Sequence, residues 1–116
     1  MCKKNFTPAP WELSDMSCYD AADNFTACFH IGKADTGELI ADCQSNSKAD
    51  YERVKANAYL IRSAPKLYNL LQLACYELEM VANWCEENNM PDDAKSYTNL
   101  ICGLHAALAE ARGEKQ

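Results

Sequence analysis

The chain is poor in backbone punctuation, with 4 glycines and 4 prolines among 116 residues. That scarcity excludes collagen-like and low-complexity architectures, and 48% hydrophobic residues exclude a disordered chain. Histidine is scarcer still, with only His30 and His105. No Gly-x-x-x-x-Gly-Lys loop, Gly-x-Gly-x-x-Gly turn, His-Glu-x-x-His pair or Gly-x-Ser-x-Gly elbow occurs, which removes the commonest phosphate-loop, dinucleotide, zinc-protease and hydrolase chemistries. With so few groups for proton transfer, the expectation is a non-enzymatic protein with no catalytic, cofactor or metal site. Positive charge is also short: 11 Lys and Arg against 17 Asp and Glu leave a net charge of −6. Direct binding to nucleic acid or to an anionic membrane is therefore not expected, and a partner with a basic surface is. No run approaches the roughly 20 apolar residues that span a bilayer. Met1–Phe6 leads into proline and polar residues rather than the apolar core of an export signal, so a soluble, cytoplasmic chain is expected.

Cysteine, by contrast, is plentiful. The seven stand at 2, 18, 28, 43, 75, 85 and 102, an odd number with no Cys-x-x-Cys, which suits reduced thiols rather than a disulfide framework. Cys75, Cys85 and Cys102 fall in helical patterns, where cysteine packs as a small apolar residue. Cys18, Cys28, His30 and Cys43 are the set that comes nearest to a metal site, but they lack the paired spacing of structural zinc modules. The Asn-Phe-Thr tripeptides at Asn5 and Asn24 match the glycosylation pattern by chance, given no export signal.

The length suits a single domain over 1–116, and its composition changes near residue 47. Within 1–47, Trp11 to Ser14 follows a stiff Thr7-Pro8-Ala9-Pro10 segment, and Phe25, Ala27, Phe29 and Ile31 alternate with Thr26, Cys28 and His30. Lys33 to Gly37 supplies a turn, after which Leu39, Ala41 and Cys43 alternate with Ile40, Asp42 and Gln44. A three-stranded antiparallel sheet is predicted, with His30 on the face away from Phe29 and Ile31. A first helix over 48–64 starts from a Ser47 cap and carries Tyr51, Val54, Ala58 and Ile61 at helical spacing up to Pro65. Over 66–112 two heptad seams follow. Leu67, Leu71, Ala74, Leu78, Val81 and Cys85 make the first, and Ala94, Tyr97, Ile101, Leu104, Leu108 and Ala111 the second. Asn88 to Asp93 breaks between them, so a long antiparallel helical hairpin is predicted. The fold class is α+β.

The second helix has more apolar surface than one seam uses. Leu70, Leu73, Met80 and Trp84 form a further stripe, interrupted by Glu77, that either the sheet and first helix cover or a second copy covers in a homodimeric four-helix bundle. Charge is patterned locally as well. Lys48, Arg53, Lys55 and Arg62 make the first helix a basic island, while Glu86, Glu87, Asp92 and Asp93 surround the hairpin turn. Asn57 is a poor helix former in mid-helix, which predicts either a hydrogen bond towards the sheet edge near Trp11 or a place in a pocket with Arg62.

From Asn57 the chain reads Asn-Ala-Tyr-Leu-Ile-Arg-Ser-Ala-Pro-Lys-Leu-Tyr-Asn-Leu-Leu. This resembles the Asn-Ala-x-Leu-Ile-x-x-Ala-Pro-x-Leu-x-x-x-Leu signature of small phage and prophage accessory proteins. The Thr7-Pro8-Ala9-Pro10-Trp11 opening and the Gly37–Cys43 strand resemble theirs too, with Ala9 where they have glycine and Tyr59 where arginine is expected. The resemblance implies a protein acting in the cytoplasm of a bacterial host. It implies an anti-CRISPR-like inhibitor of a host defence factor, which would use Glu86, Glu87, Asp92 and Asp93 against a basic surface. It implies, as an alternative, an oligomeric sponge of the anti-Thoeris or anti-CBASS kind, which would hold a nucleotide-derived signal with Arg53, Lys55 and Arg62. A purely structural interaction module is the third reading. The candidate contact residues are Trp11, Arg53, Asn57, Arg62, Glu86, Glu87, Asp92 and Asp93.

Overall fold

The alternation of Phe25 to Ile31 does form a strand, and the first half of the chain is built around it. In the computed structural model, which describes residues 6–114, β1 is Trp11–Asp15, β2 Cys18–Tyr19, β3 Phe25–Lys33 and β4 Leu39–Ser45. A 3-10 turn at Lys48–Asp50 leads into α1, Tyr51–Arg62, followed by α2, Ala64–Glu87, and α3, Pro91–Ala111. Cys2 and Asn5 lie outside the described residues. The fold is α+β, an antiparallel sheet followed by three helices. The chain forms two compact units, Thr7–Lys66 and the residues from Leu67 onward together with Phe6.

In the first unit β3 is central, with β1 along one edge and β4 along the other, both antiparallel. The sheet has four strands rather than the expected three, because the first edge is interrupted. Cys18 and Tyr19 of β2 pair with Thr26 and Phe25 of β3 in the same register that sets Trp11 opposite Lys33 and Asp15 opposite Phe29. Between them Met16 N donates to Cys28 O at 2.8 Å, but Cys28 N donates to the Ser17 hydroxyl, 3.0 Å away, in place of a ladder carbonyl. One side-chain oxygen thus divides a single edge strand into β1 and β2.

Ala27, Phe29 and Ile31 of β3 pack against Val54 and Ala58 of α1, as the two periodicities predict. The apolar face of the sheet is covered by α1. The β3–β4 turn closes with Gly37 N on Lys33 O at 2.7 Å and Lys33 N on Glu38 O at 2.8 Å. Gly37 takes a φ of 72°, the left-handed region open to glycine. A bulge between Ile31 and Gly32 then shifts the register, so Ile40 and Ala41 both pack on the core while Leu39, which shares its alternation with Ala41 and Cys43, is 57% exposed. A Cβ at Gly32 would lie 3.2 Å from Glu38 O, so glycine keeps that crossing close.

The start of α1 differs from expectation. Ser47 makes no side-chain cap. Instead the Ser45 hydroxyl donates to Asp50 Oδ2 at 2.8 Å, and Ser47 N donates to the Ser45 hydroxyl. The Tyr51 hydroxyl donates to Asp15 Oδ2 at 2.6 Å and ties the helix to β1. That bond, with help from Ser17, holds the Asp15 carboxyl below its ordinary 3.8. A carboxylate with a depressed pKa adds stability above its unfolded value and loses it as pH falls through the folded one. The stability gap between wild type and Tyr51→Phe should therefore be constant at neutral pH and close as the pH drops below 3.8. Urea unfolding followed across that range checks it, and a pH-independent gap would remove the ion from the account.

In the second unit α3 presents the expected seam, with Ala94, Ile101 and Leu108 buried. The seam of α2 is rotated from the expected one. Tyr68, Cys75, Ala82 and Cys85 are buried, whereas Leu67, Leu71 and Val81 stay half open. The buried set includes small Cys75, Ala82 and Ala94, and small side chains in a seam allow a closer helix approach than leucines would. Tyr68 anchors the open end of the hairpin. Phe6 meets its ring edge-on with centroids 5.1 Å apart, and Arg112 donates to its hydroxyl at 2.9 Å.

Candidate functional site

The two features of the hairpin left unused by packing are a stripe and a tip. Along α2, Leu73 is 62% exposed, Met80 60% and Trp84 55%, with Leu70 on the same stripe and Glu77 between. Steps of 3, 4, 3 and 4 place these five residues on one side of the helix, turned away from buried Cys75 and Ala82. A helix apolar on two sides is ordinary in a core and unusual at a surface.

The tip follows from its backbone. Met90 N reaches Cys85 O at 2.8 Å, Asn89 N reaches Glu86 O at 3.4 Å, and Asn89 has a φ of 61°. This is a Schellman closure with asparagine in the left-handed position. Pro91 opens α3 directly, followed by Asp92 and Asp93 in its first turn. Four exposed carboxylates are thereby gathered within eight residues, and none is ion-paired among the described residues. Asp92 and Asp93 favour the positive end of α3, but Glu86 and Glu87 sit at the negative end of α2, which has no basic residue in its last turn. Those two glutamates oppose helix stability. Glu86→Gln with Glu87→Gln should raise the hairpin's stability by about 0.3–1 kcal/mol per charge at low salt, read by thermal unfolding.

A groove of about 730 Å³ runs between α2 and α3, where His105 Nε2 lies 3.2 Å from Glu79 Oε1. Burial pushes the Cys75 thiol in it up, aided by Glu79, so it is no thiolate nucleophile at neutral pH. Hydrogen bonds to Glu114 and Tyr68 raise Arg112 further above its ordinary range. That arginine serves the hairpin's closure.

The remaining residues singled out by sequence are spread apart. Trp11 is structural: its Nε1 donates to Thr7 O at 3.0 Å and its ring packs on the sheet core. Arg53 pairs with Asp50 at 3.0 Å. Asn57 is exposed, and among the described residues it makes no hydrogen bond to the sheet edge. Arg62 stacks over Tyr59 at 4.7 Å, on a different side of α1 from Asn57. Cys43 packs with the core, on the sheet face opposite Cys28 and His30. Sequence reasoning missed Asp42, which the register places opposite His30 with Oδ1 3.1 Å from His30 Nε2. Burial, then Asp42, Cys18 and Asp15, push the Cys28 thiol up. No helix among the described residues is long and apolar enough to cross a membrane.

Compared with known proteins, residues 1–115 match the family model described as Salmonella phage P22 protein Y8K6. No curated protein and no solved structure matches the chain.

Proposed function

The chain belongs to the family of Salmonella phage P22 protein Y8K6, and from that premise we propose that this phage accessory protein is a non-enzymatic inhibitor that binds a host factor, a defence component with a basic surface. One observation carries the reading: Glu86 and Glu87, with no ion-pair partner among the described residues, are held at the helix end where they cost stability. Charges kept against the fold's own interest suit a contact outside it. Asp92 and Asp93 complete a negative tip that a basic groove would complement, giving fast, salt-sensitive association. The apolar stripe of α2 serves a second copy of the chain, so that the tips are carried by a dimer. The sponge alternative has less support, since Arg53 and Arg62 are already engaged by Asp50 and Tyr59.

The test compares wild type with Glu86→Gln, Glu87→Gln in affinity capture from a bacterial lysate, with proteins and small molecules identified by mass spectrometry. A basic protein retained by wild type at low salt, released by added salt and lost from the more stable variant is the expected result. Equal capture by both proteins removes the tip from the contact. Retention of a nucleotide without any host protein overturns the inhibitor reading in favour of the sponge.

A further inference from the structure

The outer face of the sheet, remote in function from the hairpin tip, brings together three side chains of metal-binding type. Cys28 and His30 are two residues apart on β3, so their side chains leave the same face, and Asp42 of β4 is the register partner of His30. One donor atom from each lies within 4.8 Å of the other two. From these juxtapositions the geometry points to a zinc site formed by Cys28 Sγ, His30 Nε2 and Asp42 Oδ1.

Distance and chemistry both support it. A tetrahedral zinc with bonds of about 2.0–2.3 Å holds its donors roughly 3.3–3.8 Å apart. His30 Nε2 and Asp42 Oδ1, at 3.1 Å, already stand near that spacing, and the thiol, within 4.8 Å of both, needs to shift by at most about 1 Å to join them. A plain ion pair accounts for two of the three groups, and the third, the buried Cys28 thiol, stands beside them in hydrogen-bond contact with Gln44. The donors also select the ion: thiolate and imidazole favour zinc over calcium or magnesium, which prefer oxygen. Rigid β3 supplies two ligands, and its paired neighbour the third.

His30 also lines an open cleft of about 380 Å³ with Ser14, Met16 and Leu39. A solvent water would complete the tetrahedron. Cys18 stands diagonally across from Cys28, being paired with Thr26, and is exposed. On binding, Cys28 loses its thiol proton to solvent and His30 binds as neutral imidazole with its proton on Nδ1. Affinity should therefore rise with pH until the thiol is no longer the limiting group.

The test uses the full chain, stripped with chelator under reducing conditions, titrated with zinc by calorimetry and with cobalt by absorption. One equivalent should bind, with the thiolate-to-cobalt charge-transfer band and the visible bands of a tetrahedral ion. Cys28→Ser should abolish the charge-transfer band. His30→Gln and Asp42→Asn should each weaken zinc binding beyond the roughly 10–100-fold typical of groups that only orient ligands. Cys102→Ser, on an exposed thiol of α3, should change nothing. Should buried Cys28→Ser fail to fold, the two less buried substitutions decide. The site is refuted by a charge-transfer band that survives Cys28→Ser, by unchanged affinity in both His30→Gln and Asp42→Asn, or by no stoichiometric binding in wild type.

Discussion

Replacing Phe29 with alanine should cost about 3–5 kcal/mol, enough to bring the Thr7–Lys66 unit to the edge of unfolding. Phe29 is 1% exposed, one of the two largest fully buried side chains among the described residues, and it contacts the ring of Tyr51 with centroids 5.5 Å apart. The cost combines the lost transfer of a phenyl group with the cavity left between β3 and α1. Ala27, Val54 and Ala58 are too small to fill that space from their own rotamers. A sheet covered by one helix over about 60 residues buries a modest fraction of its surface, so it has little stability in reserve. Urea unfolding should show the loss, and Trp11, packed on this core, should report it through red-shifted emission. Leu39→Ala is the control: its side chain faces water, and the change should be nearly silent. A loss below about 1 kcal/mol at Phe29 would mean that this core does not hold the unit together.

Phe29 and Leu39 also mark where the amino-acid pattern was legible and where it was not. The alternation through Phe25, Ala27, Phe29 and Ile31 admits one buried face, and the structure buries it. The same alternation in β4 groups Leu39 with Ala41 and Cys43, and fails because a bulge inserts between register positions without changing hydropathy. In α3 the residues off the seam of Ala94, Ile101 and Leu108 are mostly small or polar, Leu100 being the one large apolar side chain left exposed among the described residues of that helix, so the seam is legible. In α2 apolar residues occur around much of the circumference, several seams satisfy the period, and the buried one includes the small side chains of Cys75 and Ala82. The division of the first edge strand depended on one serine hydroxyl, which no periodicity carries. The grouping of Cys28, His30 and Asp42 needed strand register, for Asp42 is 12 residues from His30 and meets it only across the ladder. The tip was the reverse case. Its four carboxylates were evident by position, and the structure added that two of them sit against the helix dipole.

Placing glutamate at both Leu73 and Met80 should convert a dimer of twice 13.0 kDa into a monomer of 13.0 kDa at micromolar concentration, measured by light scattering. The two side chains are one heptad apart on the exposed stripe of α2, so both new charges would fall inside the interface of a four-helix bundle. A standard interface takes about 800 Å² from each partner, and a stripe of leucines, methionine and tryptophan along most of a 24-residue helix supplies area of that order. Burying an unpaired carboxylate there costs several kcal/mol, and each 1.4 kcal/mol is about tenfold in the dissociation constant, so two should weaken the dimer by well over 100-fold. In a monomer the same residues face water and the variant should be at least as soluble. Glu77, the single interruption of the stripe, gives the opposite test. Glu77→Leu completes the heptad and should tighten association, whereas on a free surface it would only add exposed apolar area. Leu60→Glu, on the exposed side of α1, should leave the mass unchanged. Wild type at 13.0 kDa throughout, or a double variant that remains dimeric, would sink the dimer. The acidic tip would then act from a single copy, and the α2 stripe would be left for the host partner itself.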